Sequence, residues 1–325
     1  MLEQARIIAL DVYVSNLAVS RDFYERKLGL RVLEEDESSV QYDGGQIILA
    51  LKRAADYGIE LSTVERDGAA DVVFLVENLT ELRDALERRG VAFNPTSWYE
   101  VGGIADFYDP DGHWLTLYQP SDEAMTWPSA EKIRAVMRAR KGGSVASSAA
   151  AHRQPSGGSD ADLVLDGNEV IYLFVFVEDP HETLTFYHHV LGLRDLEGGP
   201  CSQISRGDQD GVVKYDTGGI LLSTHFIDDS RTIAEYEAHA CPPRELDLQR
   251  MKGVAPTFHV TEIERVVSEL SSRGVAFSGL TQSAVGKQAA FEDPSGHLYY
   301  LYEPSEQALR RPSGAKLADI LTAAF

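Results

Sequence analysis

Cysteine is nearly missing: Cys201 and Cys241 are the only two in 325 residues, and they form no Cys-x-x-Cys pair. Neither a disulfide framework nor a zinc knuckle is therefore indicated. Long apolar runs are missing too. The longest, Val170–Val177, is far short of a bilayer span, and the opening Met1-Leu2-Glu3-Gln4-Ala5-Arg6 carries an acid where a secretory signal is apolar. A cytoplasmic protein is the expectation. Positive charge is scarce, with 30 Lys and Arg against 51 Asp and Glu and a net charge of −21. That balance argues against nucleic acid and against anionic membranes as partners. There is no Gly-x-Ser-x-Gly elbow. No glycine-rich loop leads a strand into a helix, because Gly44-Gly45 and Gly218-Gly219 fall between strands. What is present is an ordinary globular composition, 43% hydrophobic, over a length that suits two domains.

The chain repeats itself. Phe23-Tyr24 and Leu28-Gly29-Leu30-Arg31 return as Phe186-Tyr187 and Leu191-Gly192-Leu193-Arg194, 163 residues on. Gly44-Gly45 returns as Gly218-Gly219 after 174 residues. Gly90-Val91-Ala92-Phe93, Asp109-Pro110, Gly112-His113, Pro120-Ser121 and Pro128-Ser129 all return after 184. Offsets that grow at only two places describe one duplicated domain with two insertions in the second copy. The expected layout is a first domain over 1–140, a Gly-, Ser- and Ala-rich linker over 141–165 and a second domain over 166–325. Each copy ends in a helix with one apolar stripe, Ile133, Val136 and Met137 in the first and Leu317, Ile320 and Leu321 in the second, so each is expected to dock on its own domain.

Each copy is in turn two similar halves. An alternating strand (Ile7–Val14), a helix stopped at Gly29 and three short strands make the first half. The second half opens with Asp71–Val76, continues through a helix marked by Leu79, Leu82 and Leu86, and closes on two strands joined by the turn Asp109-Pro110-Asp111-Gly112. The order βαβββ occurs four times, an α+β fold.

The Phe-Tyr and Leu-Gly-Leu helix end, the run Arg89-Gly90-Val91-Ala92-Phe93 with its copy Arg273–Phe277, and the Asp-Pro-x-Gly-His turns at 109–113 and 293–297 recur in order over nearly the whole chain. In this the sequence resembles the vicinal oxygen chelate superfamily, which includes glyoxalase I, bleomycin-resistance proteins and extradiol dioxygenases. The resemblance implies four βαβββ modules forming two glyoxalase-like cupped sheets, one cavity per copy, and a divalent metal in most enzymes of the group. It also implies where the ligands stand. The opening strand offers Ala9 and Tyr172, the second module opens on Asp71 and Ala255, and the closing glutamate position holds Thr116 and Tyr300. A fourth position, used in glyoxalase I, falls on Leu49 and Leu222. Only Asp71 is a hard-cation ligand, whereas a catalytic centre needs about three. No cofactor is expected, with a divalent metal left open.

Strand alternation then assigns two cavities. The first copy places Asp11 and Asp71 with Thr116 among Tyr13, Trp114 and Tyr118, a carboxylate pair suited to acid–base work or to a cationic ligand. The second places Tyr172, Phe174, Phe176, Thr257 and Tyr300 around one candidate acid–base, His259. Each assignment competes with plain packing. His113 and His297 are explained by turn chemistry, His188-His189 lies on a helix, and His225 ends a strand bordering the cup. His239 belongs to an insertion between Phe226 and Lys252 that reads as a lid or an extended loop with a short helix near 233–239. Three functions stay in play. The first is a metal-independent binding protein, resembling the bleomycin-resistance branch, that sequesters an aromatic or polycyclic metabolite or antibiotic. The second is a metal-independent lyase, isomerase or cyclase. The third is a metal-dependent dioxygenase or glyoxalase with displaced ligands. The expected partner is a small molecule, and the chain is expected as a monomer by internal duplication or as a homodimer.

Overall fold

The computed structural model describes residues 2–61, 70–143, 165, 168–177, 179–196, 212–226 and 253–323. Most of the expected linker, the insertion after Phe226 with His239, and both cysteines lie outside the described residues.

Four modules are present. The first has strands β1 (Arg6–Val14), β2 (Val32–Glu35), β3 (Ser39–Asp43) and β4 (Ile48–Arg53). The second has β5 (Ala70–Leu75), β6 (Ser97–Tyr99), β7 (Gly102–Tyr108) and β8 (Trp114–Pro120). The third has β9 (Glu169–Val177), β10 (Arg194–Asp195), β11 (Val212–Thr217) and β12 (Ile220–Phe226). The fourth has β13 (Val254–His259), β14 (Phe277–Ser283), β15 (Gly286–Glu292) and β16 (Leu298–Pro304). Asn16 and Asp179 cap the first helix of each copy, each side chain accepting two backbone N–H groups. Both helices then widen into a π turn, Asp22–Lys27 and Thr185–Val190, which carries the Phe-Tyr pair.

Module pairing departs from the expected one. The sheets run β14-β15-β16-β13-β1-β4-β3-β2 and β10-β11-β12-β9-β5-β8-β7-β6. The first module is thus continued by the fourth, through antiparallel β1 and β13, and the second by the third, through β5 and β9. Every sheet is built from both copies.

Why the halves of one copy do not share a sheet is visible at the repeated motifs. Tyr24, on the first module's π turn, donates its hydroxyl proton to Oδ2 of Asp109 in the second module's turn, 3.1 Å away and fully buried. Tyr187 does the same to Asp293 at 2.6 Å. Arg89 and Arg273 reach across to the carbonyls of Arg26 and His189 at 3.2 and 3.1 Å. Each copy therefore spans the two sheets back to back, and one apolar cluster runs through both sheets and all four module helices. The hairpins interlock as well. Gly45 and Gly218 share a φ of +83°, and a Cβ on them would meet the Glu169 and Arg6 side chains of the opposite sheet at 2.3 and 2.6 Å. The backbone thereby sets the first offset step at 173 (45 to 218) rather than 174.

The closing helices also bridge copies. The helix Ala130–Gly143 packs Ile133, Val136 and Met137 on Val73, Leu75 and Tyr172, from two modules. Gly314–Thr322 packs Leu317, Ile320 and Leu321 on Ile8, Ile48 and Tyr302. Replacing Tyr24 by Phe removes a buried charge-assisted hydrogen bond and is expected to cost about 1–3 kcal/mol of stability, read as a lower melting temperature with unchanged secondary structure.

Candidate functional site

Each sheet turns one face to the shared core and the other to a space flanked by its closing helix. We call these outer faces cup A (first and fourth modules) and cup B (second and third). Parallel register fixes their occupants. In cup A, Asp11 stands beside Ala50 and Tyr13 beside Lys52, and Thr257 stands beside Tyr300. In cup B, Asp71 is level with Trp114, Val73 with Thr116 and Leu75 with Tyr118, while Ser223 and His225 face Phe174 and Phe176.

Asp11 and Asp71 are therefore not one carboxylate pair. They sit on different sheets, because β1 is joined to β13 and not to β5. The aromatic residues regroup accordingly. Tyr13 keeps Asp11 and gains Tyr300, Thr257 and His259; Trp114, Thr116 and Tyr118 keep Asp71 and gain Tyr172, Phe174 and Phe176.

Cup A is polar. Lys52, at the end of an otherwise apolar strand, places Nζ 2.5 Å from Oδ2 of Asp11, a carboxylate with 3% of its surface exposed. Burial alone would pull the Lys52 pKa down, but the Asp11 charge and hydrogen bond outweigh it and hold the ammonium above the ordinary lysine value. The hydroxyls of Tyr13 and Tyr300 are 2.6 Å apart. Burial, then the charge of Asp11, pushes the Tyr13 phenol far up, so it stays protonated. The Lys52 ammonium also lies over the rings of Tyr57 and Tyr300, at 5.2 and 5.9 Å. His259 stands at the far end of the same strand face, where burial and then the charge of Arg6 lower its pKa.

Cup B is aromatic. Trp114 and Phe176 stack at 5.4 Å and 7° between planes, Tyr172 and Phe174 at 5.2 Å and 7°. His225 meets Phe174 edge-on at 4.5 Å. Burial, with the charge of Lys214 adding to it, lowers the His225 pKa to about 3. Nε2 of His225 and Oγ of Ser223 are buried and have no hydrogen-bond partner among the described residues. On the same face, three strands away, the Thr116 hydroxyl lies 2.9 Å from Oδ2 of Asp71 and 2.7 Å from Oδ1 of Asp106. A hydroxyl has one proton, so it donates to one carboxylate at a time.

A family model described as the Glyoxalase/Bleomycin resistance protein/Dioxygenase superfamily matches residues 6–117 and again 169–300. The chain belongs to that superfamily. Among solved structures it is similar to a putative dioxygenase from Bacillus subtilis subsp. subtilis str. 168, at 12% identity over 98% of this chain and 91% of the other, with a TM-score of 0.56. Glyoxalase I from Zea mays is 13% identical over 92% of each chain, with a TM-score of 0.53. TnmS3, an antibiotic-binding protein from Streptomyces sp. CB03234, is 23% identical over 41% of this chain and 93% of its own, with a TM-score of 0.28. At these identities the first two likenesses speak for the fold alone. No curated protein matched the chain.

The superfamily often holds a divalent metal, and the donors here do not fit one. Cup A offers Ala9, Ala255 and Tyr300 at the expected ligand positions, and cup B offers Tyr172, Asp71 and Thr116. Leu49 and Leu222 point into the shared core. Among the described residues no group of three or more His, Cys, Asp or Glu could hold a metal ion.

Lys52, Asp106, Ser223 and Lys214 escape motif reasoning, since none belongs to a repeated word. The signal for Lys52 is its inward parity with Ile48 and Ala50 in an apolar strand. The lowered pKa of His225 carries a stability consequence. An unfolded imidazole takes its proton near 6.5 and the folded one only near 3, so acid favours unfolding across that window and nothing is lost above it. His225→Gln is expected to flatten the fall in melting temperature between about pH 6.5 and 4, measured by scanning calorimetry.

Proposed function

We propose that the protein is a metal-independent small-molecule-binding protein whose cup B takes a planar aromatic ligand. The observation that carries this is the pairing of a flat aromatic wall with buried polar atoms that have no hydrogen-bond partner among the described residues. Two parallel ring pairs supply stacking surface, with Ser223 Oγ and His225 Nε2 within the same wall. A buried polar atom without a partner is costly, and a ligand that supplies the missing hydrogen bond relieves that cost. The neutral imidazole favours a ligand hydroxyl, amine or carbonyl over a carboxylate at that edge. Sequestration without turnover, as in the binding-protein branch of the superfamily, needs nothing more than this.

A second reading rests on Asp71, Thr116 and Asp106. Two carboxylates linked through one buried hydroxyl on the same face as the aromatic rings suit proton transfer to a bound ligand, which makes cup B the active site of a metal-independent lyase, isomerase or cyclase.

The two readings share the pocket and differ in turnover. The neutral tricycle 1-aminoanthracene is expected to bind with enhanced emission, and Trp114→Ala to weaken it about tenfold, in line with the worth of one aromatic stack. Binding that ignores both Trp114→Ala and Phe174→Ala contradicts cup B as the ligand site.

A further inference from the structure

Cup A carries a separate chemistry. The small residues Ala9, Ala50, Ala255, Thr257 and Ala290 share the outer face with the long side chains of Lys52 and Tyr300, and Ile59 and Leu61 pack against the part around Ala255. The Asp11 side chain is 4% exposed, while that of Lys52 is 19% exposed and so keeps contact with solvent. An ammonium has three protons, and Asp11 is the one hydrogen-bond acceptor for Lys52 among the described residues. The two phenols, at 2.6 Å, use one proton between them. Tyr13 is wholly buried and Tyr300 half-buried. When Tyr13 donates to Tyr300, the second phenolic proton is left on the more exposed of the two residues. Two donors, one of them cationic, therefore converge where the superfamily's ligand positions hold only Ala9, Ala255 and Tyr300.

We propose that cup A is a second ligand site, which binds the anionic oxygen of a small molecule, an enolate, phenolate or carboxylate, through the Lys52 ammonium and the Tyr300 hydroxyl. The tethered ammonium supplies the positive charge at a place where the side chains cannot hold a metal. In a chain of net charge −21 a surface anion site would work against the overall field. A recessed cation escapes part of that repulsion, and its attraction is stronger away from water. Asp11 acts as the counter-ion that keeps the empty cup neutral and moderates affinity. Cup B, aromatic and neutral at His225, selects differently, so one chain presents two sites of unlike specificity.

The probe is 4-nitrophenol, whose phenolate absorbs apart from the neutral phenol, titrated against the full chain with EDTA present throughout. The expected result is that the phenolate form binds. Asp11→Asn, which unmasks the ammonium, is expected to bind it several-fold more tightly. The double variant Lys52→Met with Asp11→Asn keeps the cup neutral and foldable, and is expected to bind at least about tenfold more weakly than Asp11→Asn alone. Tyr300→Phe is expected to weaken binding with the melting temperature little changed. Equal affinity for the phenolate in all variants, or failure of the wild-type chain to bind the phenolate, would overturn the proposal.

Discussion

Tyr24 and Tyr187 each hand a phenolic proton to a buried aspartate that belongs to the other half of the same copy. The acceptors are tightly prepared. Asp109 also takes the backbone N–H of Asp111 and His113 and the ring nitrogen of His113, at 2.8–2.9 Å. Asp293 takes the N–H of His297, whose ring meets the carbonyl of Phe176 at 2.8 Å in the other sheet. A carboxylate buried with this many donors is held firmly, because leaving any of them unpaired in a dry core is expensive. With the halves of a copy fixed back to back by these clasps, the exposed edges of β1 and β5 are free to pair with the other copy. The two mixed sheets follow from that, and so do both cups.

The duplication then keeps the frame and exchanges the chemistry. With an offset of 163 on the opening strand and 173 after the two glycines, Asp11 corresponds to Phe174, Tyr13 to Phe176 and Lys52 to His225. An ion pair at 2.5 Å in one cup is an edge-on ring contact at 4.5 Å in the other. The outer supports are unchanged. Lys132 bridges Asp216 as Lys316 bridges Asp43, and the Tyr118 and Tyr302 hydroxyls donate to equivalent carbonyls of Val101 and Val285. Positions that hold the frame resist change because they are buried and paired. Positions on the outer faces need only match one another.

Much of the fold was legible in the sequence for the same reason. Repeats such as Phe-Tyr and Asp-Pro-x-Gly stand out because they form the clasps, and period-two alternation marks the strands because one face of each meets the shared core. Which module joins which was not legible. Alternation gives the face of Asp11 and of Asp71 but not the neighbour of β1, so the two acids were grouped by chain order and proved to lie on different sheets. Lys52 was hidden by its setting, since a lysine ending an apolar strand reads as solvated and only the register opposite Tyr13 shows it turned toward Asp11. The short strands β6 and β10 carry too few residues to show a period.

Cross-copy pairing is the claim on which both cups rest, and backbone nuclear Overhauser contacts in the deuterated full-length chain test it most directly. Contacts between Ala9–Val12 and Val254–Thr257, and between Ala70–Val73 and Tyr172–Val175, are the expected result. Contacts joining Arg6–Val14 to Ala70–Leu75 would contradict it, returning Asp11 and Asp71 to a single cavity.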